Sequence, residues 1–303
     1  MADTGRQSMR GALSREIAST IGLLADEHDF TAMRRYSSFT FDDHATYLQE
    51  VEALLRTFAA TGKHTTVALF DPQEYAEFCA DTGLEPDATS SRARFTAELA
   101  TTGPSVPYEG QPLDELIPAL VDEAARHATW EFASEFLASI GNCAGCGEDI
   151  GRAAFTRARD LLVRILDRAY PGHQQLVCSV AGMAPETLVY SLHADTDPDR
   201  AAHVDEAEAV VFATVLAVGL ATHSPGGLVM RTSSTDTTDR IYGWRLRGEG
   251  LEPLTAAEAF DAYCTDIVTG ELIAPESGVD YCSPPDLGDD LDHGGTATGP
   301  HVH

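Results

Sequence analysis

The stretch Ala209 to Ala221 (AVVFATVLAVGLA) constrains this chain more than any other, because it carries no charged side chain. As a helix it would rise about 20 Å, well short of the roughly 30 Å that a bilayer core requires. A helix that is apolar all round must instead be covered by protein all round. The segment therefore predicts a buried helix over about 204–222, laid on one face of a sheet. Suitable strands flank it. Leu176 to Ala181 and Thr187 to His193, joined by the turn GMAPE, come before it. Leu228 to Ser233 and Arg240 to Arg247 come after it, followed by a helix near Thr255 to Cys264. This ββαββα order predicts a largely antiparallel sheet with packed helices, and an α+β fold.

The first half reads as mainly helical with one short strand element. Leu13, Ile17, Ile21 and Leu24 have helical spacing after Ser14. Tyr47, Leu48, Val51, Leu54, Leu55 and Phe58 make an apolar stripe on a helix over 42–60. His64 to Phe70 is rich in β-formers and predicts a strand. Asp71, Pro72 and Glu74 then have the chemistry of a helix start, and Gly83 that of its end. A further helix follows around Phe95 and Leu99. The next is expected near Pro118 and runs to Ile140, with Ile117, Leu120, Val121, Ala124, Ala128 and Phe132 inward. The last runs over 148–170, with Ile150, Ala154, Ala158, Leu161, Leu162, Ile165 and Leu166 on its buried side. The expected organisation is a loose segment with a short helix at 1–30, a mainly helical domain at 31–172, an α+β domain at 173–283 and a disordered tail at 284–303.

Charge narrows the partners. Forty-eight acids against twenty bases leave a formal net charge of −28. Such a surface repels phosphate backbones and anionic lipid, so general nucleic-acid binding and membrane association are not expected. Lys63 is the lone lysine, every other base is arginine, and the arginine and alanine bias suggests a GC-rich bacterial genome. Met1 to Ser19 has no apolar run of the kind a signal peptide needs. Six cysteines without such a segment suit reduced thiols in the cytoplasm.

The densest chemical signal is Cys143-Ala144-Gly145-Cys146-Gly147. Two thiolates three positions apart in a glycine turn can grip zinc, but a structural site needs four ligands. The expected set is Cys143, Cys146, His173 and Cys178, with Cys264, Cys282 and His127 as alternative donors. Two ordinary turn thiols, or a redox or nucleophilic pair, are the competing readings. Glu123, His127, Glu131 and Glu135 recur at every fourth residue, which reads first as the solvated side of a helix. Asp195, Asp197, Asp199 and Glu206 match positions 1, 3, 5 and 12 of a calcium loop, but Arg200 stands where that loop needs glycine. His193 and His203 flank the same segment.

No complete catalytic signature is present. The favoured expectation is a non-enzymatic cytoplasmic regulatory or protein-interaction protein, with a protein partner and zinc at the CxxC loop. The alternative is a metal-assisted hydrolase or a thiol-dependent enzyme.

Overall fold

A computed structural model describes residues 19–181, 187–197, 200–235, 237–265 and 269–288. The chain is α+β and divides into two compact units, 1–127 and 128–303. The division falls inside the helix Leu113–Ile140.

The first unit is built on a three-stranded sheet ordered β1-β2-β3, from β1 (Ser19–Leu23), β2 (Thr65–Leu69) and β3 (Ser105–Pro107). β1 runs parallel to β2 and β3 antiparallel to it. Around it lie α1 (Glu27–Met33), α2 (His44–Ala60), α3 (Pro72–Thr82), α4 (Thr89–Thr102) and the start of α5 (Leu113–Ile140). Ser19–Leu23 is strand where the expected first helix would have continued, while its start, with Leu13 and Ile17, lies outside the described residues. Five residues of mixed polarity satisfy either period, and pairing with β2 decides for strand. Leu24 seals the end of β1, where its N–H donates to the Tyr47 hydroxyl at 3.1 Å. Burial pushes that phenol up to about 12. The helix at Pro72 starts as its sequence predicts: Asp71 accepts from the Gln73 and Glu74 amides at 2.6 and 3.2 Å. Gly83 closes it at φ 66°, where a Cβ would be strained.

α5 begins five residues before Pro118 and carries that proline inside it. Its buried residues are Leu116, Leu120, Ala133 and Leu137, whereas Val121 and Phe132 are exposed. Of the expected inward row, Leu120 is buried and Ile117 packs against the core, whereas Val121, Ala128 and Phe132 are corrected to the outer side.

The second unit holds a seven-stranded sheet ordered β10-β8-β7-β4-β5-β6, with β9 also paired to β8. Its strands are β4 (Gly172–Val180), β5 (Leu188–Asp197), β6 (Arg200–Val204), β7 (Gly226–Ser234), β8 (Thr237–Arg247), β9 (Gly250–Pro253) and β10 (Val279–Tyr281). The β10–β8 pair is parallel and the others are antiparallel. The predicted apolar helix is α7 (Glu206–Thr222), buried without interruption from Val211 to Leu220. It packs on β4, β5 and β8, and α6 (Ile150–Arg168) packs on α7. Six of the seven residues expected to be buried on α6 are buried, Ala154, Ala158, Leu161, Leu162, Ile165 and Leu166, together with Gly151. Leu176, Cys178, Val180, Leu192, Met230, Tyr242 and Trp244 complete this core from the sheet. The short α8 (Ala256–Tyr263) packs on β7, β8 and β10. The turn GMAPE and the tail beyond 288 lie outside the described residues. Within the expected tail, the Asp286 carbonyl accepts from Arg168 at 2.8 Å.

Two half-buried carboxylates tie local structure to pH. Asp87 accepts from the Ser37 hydroxyl at 2.6 Å and the Ser38 amide at 2.8 Å, which lower it to about 2. Glu258 closes a capping box with Thr255 and takes an ion pair from Arg245, and is likewise lowered to about 2. Folded values below the unfolded ones mean that this stabilisation is full above ordinary carboxylate values and disappears as pH falls towards 2. The urea midpoint is expected to drop across that window. In Asp87→Asn/Glu258→Gln the drop should be shallower, and an equal slope in both proteins would contradict the assignment.

Candidate functional site

Strand geometry sends alternate side chains to opposite faces of a sheet. On β4 the even positions Gln174, Leu176, Cys178 and Val180 enter the core, while His173 and Gln175 are exposed on the other face. On β5, Leu192 and Ala194 go inward, and Val189, Ser191, His193 and Asp195 go outward. On β6, Ala202 and Val204 pack against the core, and His203 faces the other way, exposed. Among the described residues, α8 packs on β7, β8 and β10, and the outward side chains of β4 and β5 are exposed or half-buried.

Register turns this face into rows. Ser233, His173, Asp195 and His203 lie side by side across β7, β4, β5 and β6. Arg231, Gln175 and His193 form the next row. His173 donates from Nδ1 to Asp195 Oδ1 at 3.0 Å. Its ring stacks against His193 with 6.0 Å between centroids and 19° between planes. His193 Nδ1 lies 3.9 Å from a Glu208 carboxylate oxygen, and the His193 amide reaches the same oxygen at 3.4 Å. Arg231 is held between Glu276 and Asp239, at 2.9 and 2.6 Å. Hydrogen bonds with both raise the guanidinium's pKa and lower those of Asp239 and Glu276.

This arrangement corrects two sequence expectations. His173 and Cys178 sit five positions apart on one strand, so they point to opposite faces and do not meet as co-ligands. Cys178 is fully buried, and burial alone pushes its thiol up to about 12. The calcium-loop reading also falls, because Asp195 and Asp197 belong to β5 and pair with β6 in place of a helix-flanked loop.

Cys143 and Cys146 occupy a tight turn between α5 and α6. The Cys143 amide donates to Glu148 O and the Gly147 amide to Cys143 O, both at 2.8 Å, and Asn142 bridges Asp149. Gly147 takes φ 77°, which suits glycine after the second cysteine. None of the six cysteines is in a disulfide. Glu123, from the four-spaced row on α5, pairs with Arg126 as a surface ion pair would.

Among the described residues, one group of three metal-ligating side chains already has its donor atoms within 4.8 Å: Asp26, His28 and Asp29. Asp26 there caps the seven-residue α1 by accepting from the Asp29 amide at 2.8 Å. That capping accounts for the cluster without an ion.

Residues 8–111 match the family described as Domain of unknown function (DUF8829). The match lies in the first unit and ends before α5. No curated protein and no solved structure matches the chain. Among the described residues, no helix is long and apolar enough to cross a membrane.

Proposed function

We propose that this chain is a cytoplasmic, non-enzymatic regulatory or interaction protein that takes a basic protein partner on the open sheet face of its second unit. One observation carries the reading: among the described residues, an antiparallel sheet packed by helices on one side is left open over β4, β5 and β6 on the other. That face offers Val177 and the 38%-exposed Val189 among polar groups. Its local charge is acidic, through Asp195 and Glu208 and through Arg231 set between two carboxylates. The chain's net charge of −28 steers cationic partners and repels nucleic acid. Thiols outside any disulfide suit a reducing compartment. Burial raises the thiols of Cys178 and Cys282 and so depletes their reactive thiolate, which leaves Cys143 and Cys146 as the pair a thiol-dependent enzyme would draw on.

A synthetic arginine-rich peptide tests the proposal. Binding at low salt should weaken as salt rises, with hydrogen-exchange protection confined to β4 and β5. Val189→Arg/Ser191→Arg places like charge on the face and should weaken binding at least about tenfold. Equal affinity in that variant, or no binding at low salt, refutes the surface.

The proposal keeps zinc at the Cys143–Cys146 turn, completed by donors other than His173 and Cys178. The amide-lined turn and the glycine that follows it support this. Metal analysis of untagged protein should find zinc that is lost in Cys143→Ser or Cys146→Ser, with a lowered melting temperature. Metal-free wild-type protein would remove zinc from the account.

A further inference from the structure

We propose that His173, His193 and His203, with Asp195 orienting His173, bind a divalent transition-metal ion on the open face of the second unit's sheet. The inference is independent of the CxxC turn and of any protein partner.

The first argument is placement. His193 and Asp195 are two apart on β5 and so share a face. His173 on β4 and His203 on β6 are the register partners of Asp195 on either side. Neighbouring strands lie about 4.8 Å apart and alternate residues about 7 Å apart. The three imidazoles therefore surround one carboxylate within the span that long side chains cover.

The second argument is the state of the rings. His173 presents Nδ1 to Asp195 at 3.0 Å, and His193 presents Nδ1 to Glu208 at 3.9 Å. For His173 that carboxylate favours the tautomer with its proton on Nδ1 and its lone pair on Nε2, whereas the 3.9 Å at His193 is beyond hydrogen-bond reach. Metal-binding histidines are oriented and made more basic in this way. The two rings are nearly parallel with centroids 6.0 Å apart, so ligation of one ion requires the side chains to turn. Both side chains have room to turn, at 55% and 49% exposure. The donor atoms are not yet gathered within 4.8 Å, so the ion draws them in. A set of imidazoles suits zinc, copper, nickel or cobalt, whereas calcium and magnesium prefer oxygen-only sets.

Cobalt(II) is the probe, added to untagged full-length protein carrying Cys143→Ser/Cys146→Ser so that sulfur ligation is removed. The expected result is one cobalt per chain, with visible ligand-field bands and no sulfur charge-transfer band. His173→Gln/His193→Gln should weaken binding at least about tenfold, and His203→Gln should also weaken it. Unchanged affinity in the double variant, or no cobalt uptake by the parent, overturns the proposal. If the variants melt early, long-range ¹⁵N imidazole spectra of the parent decide the question. Zinc must shift Nε2 of His173 and His193, and unmoved signals count against the site.

Discussion

Trp244→Ala is expected to cost about 3–5 kcal/mol, the usual range for deleting a fully buried tryptophan. Trp244 is 1% exposed and lies on β8 among the core residues that receive α7. Its indole meets the Tyr242 ring edge-on, with centroids 5.7 Å apart at 82°. Alanine would open a cavity under a helix that is apolar on every side. The surroundings cannot collapse to fill it, because β8 is fixed by β7 and β9 along its length. Total stabilities are about 5–15 kcal/mol, so the loss is a large share of the whole. The melting temperature, read by far-ultraviolet circular dichroism, should fall by roughly 10 °C. Trp244→Phe, which keeps most of the volume, should lose much less. A melting temperature within about 2 °C of wild type would place Trp244 outside the core.

The elements that could be read in the sequence are those whose stability is local or periodic. α6 shows its buried face because six apolar residues repeat every three to four positions over its whole length. α3 shows its ends because Asp71, Pro72 and Gly83 each meet a backbone need that no neighbour in space has to supply. α7 was legible from composition alone. β1, β3, β6 and β10 were not. They are short strands at sheet edges; β1, β3 and β10 are fixed by a partner distant in sequence, whereas β6 folds back on the neighbouring β5. Ser19–Leu23 is a strand because Thr65–Leu69 lies beside it, which no window around residue 20 contains. β6 hides inside an acidic segment whose aspartates resemble a calcium loop.

The site was legible one residue at a time. His173, His193 and His203 were each visible as isolated histidines, and Cys143 with Cys146 as a pair. What joins the histidines is register, and register depends on where β4 begins. With the strand taken from Leu176, His173 falls outside it and its facing is undefined. Started at Gly172, the strand puts His173 and Cys178 at odd separation and hence on opposite faces. The one local signal was the His193-x-Asp195 alternation, which already sends both side chains to one face.

Gln174→Leu should be the second most costly change, at about 2–3 kcal/mol, although leucine is nearly the same size. Gln174 is fully buried on β4 and its polar atoms are all in use. Its amide donates to Tyr170 O at 2.6 Å and to the Thr196 hydroxyl at 2.9 Å, and its carbonyl accepts from Thr232 at 2.5 Å. Thr232 in turn meets the Tyr242 hydroxyl at 3.0 Å. Leucine leaves the Thr232 hydroxyl short of an acceptor in a site that water does not reach. Adding Thr232→Val removes that orphaned group, so the double variant should cost less than the two single costs added, by about 1 kcal/mol in a double-mutant cycle. The network also bears on the open face. Gln174 follows His173 on β4, and Thr196 follows Asp195 on β5, so the buried bond between them locks the register that sets the His173–Asp195 pair on the other side. Hydrogen exchange in Gln174→Leu should therefore rise first at the β4–β5 ladder near residues 172–175. Additive costs and unchanged protection there would mean that apolar packing alone aligns the two strands.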